Sequence, residues 1–136
     1  MRPLLGVGAL IFRRNRVLLV ERGKEPLKGY WSLPGGLVET GERLEDAIRR
    51  EVLEETGLVV KPKYLAEVFE RIMHDADSRV EYHYVLADYV CQIVSGEPVA
   101  SDDASRVDWF RVDRLDELLL TEGTREVIEK VHAGRR

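Results

Sequence analysis

The segment that most constrains the fold lies at residues 44–55, where apolar and charged side chains repeat with the period of an α-helix. The apolar side of this helix starts with Leu44, Ala47 and Ile48. Gly57 follows at the position of a C-terminal cap, and residues 40–42 can supply the N-terminal cap and negative charge for the first turn. The pattern predicts one central helix between two loops.

The apolar side of this helix becomes acidic in its second half. The stripe should continue at positions 51 and 55, and both are glutamates, with Glu54 beside them. Like charges at this spacing repel, and burial raises the cost, so three converging carboxylates call for a cation. Oxygen ligands suit Mg²⁺ or Mn²⁺. The alternative is a solvated helix surface held by ion pairs such as Asp46 with Arg50.

The segments around the helix have the character of β-strands. Residues 4–12 and 17–20 are apolar and are separated by a polar turn, which predicts a hairpin. Residues 64–73 and 82–94 are rich in β-branched and aromatic side chains, and they predict a second hairpin.

Shorter elements complete the pattern. Residues 31–33 and 107–110 predict short strands, and residues 113–120 and 124–132 have helical spacing. Strands combined with one central and one terminal helical region predict an α/β fold, a mixed sandwich of sheet and helices.

Length and composition fit one domain over residues 1–136, with 44% hydrophobic and 34% charged residues. The net charge of −4 gives no support for binding a nucleic-acid polymer or a membrane surface, and no apolar run reaches the roughly 20 residues that span a bilayer. The N-terminus lacks the features of a signal peptide. Cys91 is the only cysteine, so we expect a small core residue and a reducing, cytoplasmic localisation.

Charge is distributed unevenly along the chain. Residues 36–58 contain seven acids and three arginines, whereas residues 1–35 contain seven bases and two acids. This asymmetry is compatible with an anion and a cation bound side by side, such as a phosphate chain with its metal, although solvated surface charge is the default explanation.

Residues 36–58 resemble the Nudix box, a family motif with the pattern G-x5-E-x7-R-E-U-x-E-E-x-G-U, in which U is a bulky aliphatic residue. All nine defined positions match: Gly36, Glu42, Arg50, Glu51, Val52, Glu54, Glu55, Gly57 and Leu58. The resemblance implies a Nudix α/β/α sandwich with a mixed β-sheet.

The resemblance also implies an activity. Nudix hydrolases cleave a phosphoanhydride bond in a nucleoside diphosphate linked to another moiety, and they use divalent ions to neutralise the phosphates. The first expectation is ADP-ribose or another nucleoside diphosphate sugar. The alternatives are a MutT-type pyrophosphohydrolase of ordinary or oxidised nucleoside triphosphates and a module that senses nucleotides without turnover. The partner is then a small-molecule nucleotide, and the oligomeric state is left open, with a homodimer among the alternatives.

By position in the motif, Glu51, Glu54 and Glu55 resemble the family's metal ligands, together with the Gly35 carbonyl. Glu51 is also the first candidate for the general base, and Arg50 would orient it through a charge-assisted bond. Glu42 would steady the loop before the helix.

Several further residues have two interpretations. The general base can instead come from Asp102 or Asp103, although a polar turn explains these acids equally well. Arg22 and Lys24 resemble residues that contact substrate phosphates in relatives, and exposed loop charge is the alternative. Trp31 and Trp109 are predicted to be core residues and are not assigned to base stacking.

Overall fold

The computed structural model describes residues 2–101 and 103–135. Within these residues the chain forms a seven-stranded mixed sheet, two α-helices and one 3₁₀ helix. The strands are β1 (Leu4–Arg13), β2 (Arg16–Arg22), β3 (Trp31–Ser32), β4 (Gly35–Leu37), β5 (Val59–His74), β6 (Val80–Ser95) and β7 (Ala104–Arg111). The helices are α1 (Leu44–Thr56), the 3₁₀ helix (Val112–Glu117) and α2 (Thr124–Ala133).

Strand β1 connects the two halves of the sheet. It pairs antiparallel with β2 and β4 and parallel with β6, in the order β3-β2-β1-β6-β5, and β7 joins on β2. The parallel β1–β6 pair among antiparallel neighbours makes the sheet mixed, which confirms the expected fold class.

Each face of β1 packs on a different helix. Val7, Ala9 and Ile11 belong to a core that includes Ile48 and Val52 of α1, and Leu10 belongs to a core that includes Ile128 of α2. Because side chains alternate along a strand, Gly6 and Gly8 lie on the same face as Leu10. The sheet therefore has an α1 face and an α2 face.

Both predicted hairpins are confirmed, and β5 and β6 extend beyond the predicted limits to sixteen residues each. The short strand predicted at residues 107–110 is also longer, because β7 pairs along β2 and Arg106 forms a 2.6 Å ion pair with Glu21. The helix predicted at residues 113–120 is wrong in type and extent, since only the 3₁₀ helix forms there. The last predicted helix is confirmed as α2.

The start of α1 differs from the prediction. Arg43 is the N-cap and makes no side-chain capping bond, so residues 40–42 do not cap the helix. The Glu42 carboxylate instead accepts hydrogen bonds from Arg50 and from the Glu39 N–H, which removes it from the capping role. The end of α1 is as predicted: Gly57 has φ 75°, a left-handed conformation that glycine adopts without strain.

The predicted core residues are buried to different extents. Trp31 is 7% exposed in the core below α2, and Trp109 is half-buried against the core below α1 with the Arg13 guanidinium 4.5 Å from its ring centre. Cys91 is buried, and burial raises the pKa of its thiol to about 12, as expected of an inert core residue. No helix within the described residues has the length and apolar character needed to cross a membrane.

Candidate active site

Two glutamates of α1 meet the glycines of β4. The Gly35 N–H donates a hydrogen bond to Glu55 Oε1 over 2.8 Å. A Cβ atom at position 36 would overlap the Glu51 carboxylate, so this close approach requires glycine. Strand β4 and the second half of α1 therefore form one acidic centre, and the two residues that the sequence placed on a core-directed stripe are brought together.

The buried stripe of α1 runs slightly to one side of these glutamates. Its buried residues are Ala47, Ile48, Val52 and Thr56, which leaves Glu51 and Glu55 at the edge of the stripe. The Glu51 side chain is 16% exposed. Burial raises the pKa of Glu55 to about 8, and the neighbouring Glu51 charge acts in the same direction. The Gly35 N–H and the Arg22 charge oppose this rise without cancelling it.

Arg50 connects the carboxylates around the helix. Its Nε and Nη2 donate to the two oxygens of Glu42 over 2.8 and 2.9 Å, and its Nη1 donates to Glu51 Oε1 over 2.8 Å. The bidentate pair lowers the pKa of Glu42 to about 2. The alternative partner considered for Arg50, Asp46, pairs instead with Arg49 at 3.2 Å. The geometry therefore fits a positioning role for both Arg50 and Glu42.

Glu54 does not join the acidic centre in the expected way. Its side chain is 42% exposed, and its Oε2 accepts a hydrogen bond from Arg50 Nη1 over 3.3 Å. Within residues 2–101 and 103–135, no three His, Cys, Asp or Glu side chains form a group that could hold a metal ion. Arg50 Nη1 also donates to Glu51 Oε1, so Glu54 lies beside the acidic centre through this shared donor, although it does not line the cavity, and its role as a ligand stays a prediction.

A cavity of about 430 Å³ adjoins the acidic centre. Glu51, Glu55, Gly35 and Gly36 line it, and so do the two predicted phosphate-binding residues, Arg22 and Lys24. Arg22 Nε donates to the Pro26 carbonyl over 2.7 Å, which fixes the side chain near Glu55. Lys24 Nζ lies 2.7 Å from Asp103 Oδ1 in an exposed ion pair. Asp102 lies outside the described residues.

The cavity also reaches residues that the sequence analysis missed. Phe69, Arg71, Tyr84 and Asp88 of β5 and β6 line it. Asp88 is 7% exposed, and burial raises its pKa to about 6 despite the opposing charge of Arg71. For Asp88 the available signal was a single carboxylate within residues 84–94, an otherwise uncharged and largely apolar stretch, because such a residue is buried only at a cost. Arg71 is one of several charged residues of β5 and gave no such signal.

Comparison with known proteins agrees with this geometry. The sequence profile of the NUDIX domain matches residues 2–131. An ADP-ribose pyrophosphatase of Methanocaldococcus jannaschii is 37% identical over 118 residues, which cover 87% of this chain and 68% of that protein.

Solved structures agree as well. A MutT NUDIX hydrolase from Burkholderia pseudomallei superposes with a TM-score of 0.79 at 33% identity and covers 96% of this chain and 99% of its own. The NUDIX domain of Shewanella oneidensis NrtR, solved with ADP-ribose, has a TM-score of 0.76 at 25% identity. The match covers 98% of this chain and 88% of that structure. With the complete motif and the matching fold, these similarities show that the chain is a member of the Nudix hydrolase family.

Proposed function

We propose that the protein hydrolyses a phosphoanhydride bond in a nucleoside diphosphate linked to another moiety. The observation that carries this proposal is the meeting of Glu51 and Glu55 with the glycines of β4 beside a cavity that also contains Arg22. A diphosphate carries negative charge that must be neutralised before water can attack phosphorus. In the proposed site, a cation held by Glu51 and Glu55 would neutralise this charge from one side, and the Arg22 guanidinium from the other.

The residues of the acidic centre fit a divalent metal ion. Glu55 is partly buried beside a second carboxylate, and the resulting rise in its pKa is the cost that a bound cation would offset. We assign Glu51 and Glu55 as ligands, with Glu54 and the Gly35 carbonyl completing the set, and the oxygen donors suit Mg²⁺ or Mn²⁺. When bound, the ion would neutralise the phosphates and acidify water.

Glu51 is the proposed general base. Its carboxylate is held by Arg50 Nη1 over 2.8 Å, so it can accept a proton from water in a fixed orientation. Asp103 is the weaker alternative, since it is exposed and paired with Lys24 at 2.7 Å. Arg22 and Lys24 are the proposed phosphate contacts, and Arg22 is the better placed because its side chain is fixed by the Pro26 carbonyl.

ADP-ribose or a related nucleoside diphosphate sugar is the proposed substrate. The M. jannaschii relative carries the name of this activity, and the S. oneidensis domain was solved with this ligand. The volume of the cavity lies within the range of small-molecule sites. We further propose that the protein acts as a single domain in the cytoplasm. Its partner is a small nucleotide, and neither a nucleic-acid polymer nor a membrane takes part. A homodimer is compatible with this proposal.

A MutT-type triphosphate pyrophosphohydrolase is the second candidate, favoured by the similarity to the B. pseudomallei MutT protein. A sensing module without turnover is the third, and the complete set of carboxylates in the motif argues against it. One screen of nucleotide substrates with Mg²⁺ separates the three. ADP-ribose should yield AMP and ribose 5-phosphate, a triphosphatase would release pyrophosphate, and a sensor would bind nucleotides without releasing any product.

A further inference from the structure

Strand β5 is an open edge of the sheet. Among the described strands it pairs only with β6, so its outer side offers backbone N–H and C=O groups to a further strand. Two irregularities in the β5–β6 ladder, between Pro62 and Tyr64 and between Leu65 and Glu67, disrupt the first half of this edge. From Glu67 to Met73 the ladder is regular and contains no proline. The second half of β5 can therefore accept another strand.

Exposed apolar side chains lie along the same part of β5. Val68 and Ile72 are exposed, and both lie on the α1 face, because Val68 opposes Ala87 of the core below α1. Leu5 of β1 is exposed on the same face. Strand β7, which also pairs with one strand only, carries none of the exposed large apolar side chains of the described residues. Of these two edges, β5 is the one with the apolar surface typical of an interaction site.

The charges of residues 67–72 select one way of pairing two copies of β5. Opposing residues of an antiparallel pair share a face, so a two-fold axis between two identical strands passes through a residue. An axis at Glu67, Glu70 or Arg71 would place two like charges directly opposite each other, which is unfavourable. An axis at Phe69 places Glu67 opposite the partner's Arg71, and symmetry repeats this pair. No other axis within residues 67–72 brings opposite charges of this segment together.

The two ends of β5 have complementary charges as well. Lys61 and Lys63 lie near its start and are exposed. The turn that follows β5 contains Asp75, Asp77 and Arg79, two acids against one base. Antiparallel pairing brings the basic end of one copy alongside the more acidic turn of the other. A second copy of this chain is therefore the partner that the charge pattern fits.

We propose that two copies of this chain associate through residues 67–72 of β5, which continue the sheet as an antiparallel pair about a two-fold axis at Phe69. Strand addition of this kind is a small interface, so the dimer is in equilibrium with the monomer. Phe69 and Arg71 also line the cavity, so the interface adjoins the candidate active site. The inference does not rest on the proposed function.

Sedimentation equilibrium over a range of protein concentrations tests the interface. The mean mass of the wild type should rise from monomer toward dimer with concentration. Glu67→Arg and Arg71→Glu should each raise the dissociation constant at least about tenfold, because each substitution creates two like-charge pairs at the interface. The double variant, which exchanges the two charges, should return to within about threefold of the wild type.

Asp116→Arg is the matched control, because it makes the same change of charge at an exposed acid of the 3₁₀ helix. It should leave the dissociation constant unchanged. A wild type that stays monomeric at every concentration would overturn the proposal. A folded double variant that dissociates as readily as the single variants would overturn it too.

Hydrogen exchange provides a second test that needs no substitution. Amide exchange of residues 67–72 in the wild-type protein should slow as the protein concentration rises. Exchange that is unchanged in this segment, or slowed only in β7, would reject the interface even if the charge variants fail to fold. Neither readout involves nucleotide hydrolysis, so failure of the proposed function would leave the dimer proposal intact.

Discussion

Glu55 Oε1 accepts a 2.8 Å hydrogen bond from the Gly35 N–H, across twenty positions of sequence. This bond attaches the end of α1 to β4 and fixes the carboxylate beside Glu51. One backbone donor does not compensate for the partial burial of this carboxylate, because the pKa of Glu55 is still raised to about 8. The raised pKa represents an electrostatic cost, and the proposed metal ion would offset it.

Neutralising either central glutamate should separate chemistry from folding. Glu51→Gln and Glu55→Gln should each lower kcat by at least about a hundredfold, because a metal ligand or base is lost. Stability at pH 7 without divalent ions should stay equal or rise, for Glu55→Gln by about 1–3 kcal/mol, because glutamine avoids the cost of protonating this carboxyl group, or of burying its charge, on folding. Steady-state kinetics and thermal denaturation measure the two effects.

Glu45→Gln is the control on the same helix, since Glu45 pairs only weakly with Arg49 at 3.9 Å on an exposed face. It should change neither kcat nor stability appreciably. A loss of several kcal/mol with normal kcat in the Glu51 or Glu55 variant would support a purely structural role.

Removal of divalent ions should abolish activity. Turnover should vanish in EDTA and return with Mg²⁺ or Mn²⁺. The same ions should raise the melting temperature of the wild-type protein, by an amount corresponding to about 2.7 kcal/mol at a hundred times the dissociation constant, and should do so less in Glu55→Gln. Full activity after exhaustive chelation would show that the reaction does not require a divalent ion.

The parts of the fold that the sequence predicts well are those determined by local pattern. The helix at residues 44–55 follows from its apolar period and from Gly57, whose left-handed conformation ends it. The two long hairpins follow from β-branched runs separated by polar turns. The start of α1 does not follow, because the competing bond from Glu42 to Arg50 joins residues eight positions apart.

The site divides in the same way. The motif predicts Glu51 and Glu55 as site residues, because their surroundings are formed by α1 and by β4, which lies just before it in the sequence. Arg71 and Asp88 enter the cavity only through the pairing of β5 with β6, which places Arg71 opposite Tyr84, four positions from Asp88. Register of this kind depends on tertiary packing and cannot be read from either strand alone.

The Arg50–Glu42 pair should stabilise the protein above acidic pH. The pKa of Glu42 falls to about 2 in the folded protein from 4.5 in the unfolded chain. Because the folded-state pKa is lowered, the contribution is present above about pH 4.5 and is lost as pH falls toward 2. Urea denaturation between pH 7 and 3 should show a shallower loss of unfolding free energy in Glu42→Gln than in the wild type.

Glu45→Gln should keep the wild-type pH dependence. Glu42→Gln should also lower kcat more than it raises KM, because Arg50 then holds Glu51 less firmly. Parallel pH curves for Glu42→Gln and the wild type would contradict the stabilising pair.

Arg22 should act on the substrate phosphates. Arg22→Ala should raise KM for a diphosphate substrate, and it should also lower kcat if the guanidinium contacts charge that develops in the transition state. Lys28→Ala is the control, because Lys28 is an exposed base of the same loop that does not line the cavity. Equal effects of the two substitutions on KM and kcat would show that Arg22 contributes only general positive surface charge and makes no specific contact with the phosphates.

The most direct test of the central claim is product analysis of ADP-ribose hydrolysis in H₂¹⁸O with Mg²⁺. We expect AMP and ribose 5-phosphate as products, with one ¹⁸O atom on the phosphate of one of them, because water attacks phosphorus at the acidic centre. AMP itself, which has no phosphoanhydride bond, should not be consumed. Label on a sugar carbon, or cleavage that leaves the diphosphate intact, would contradict the account.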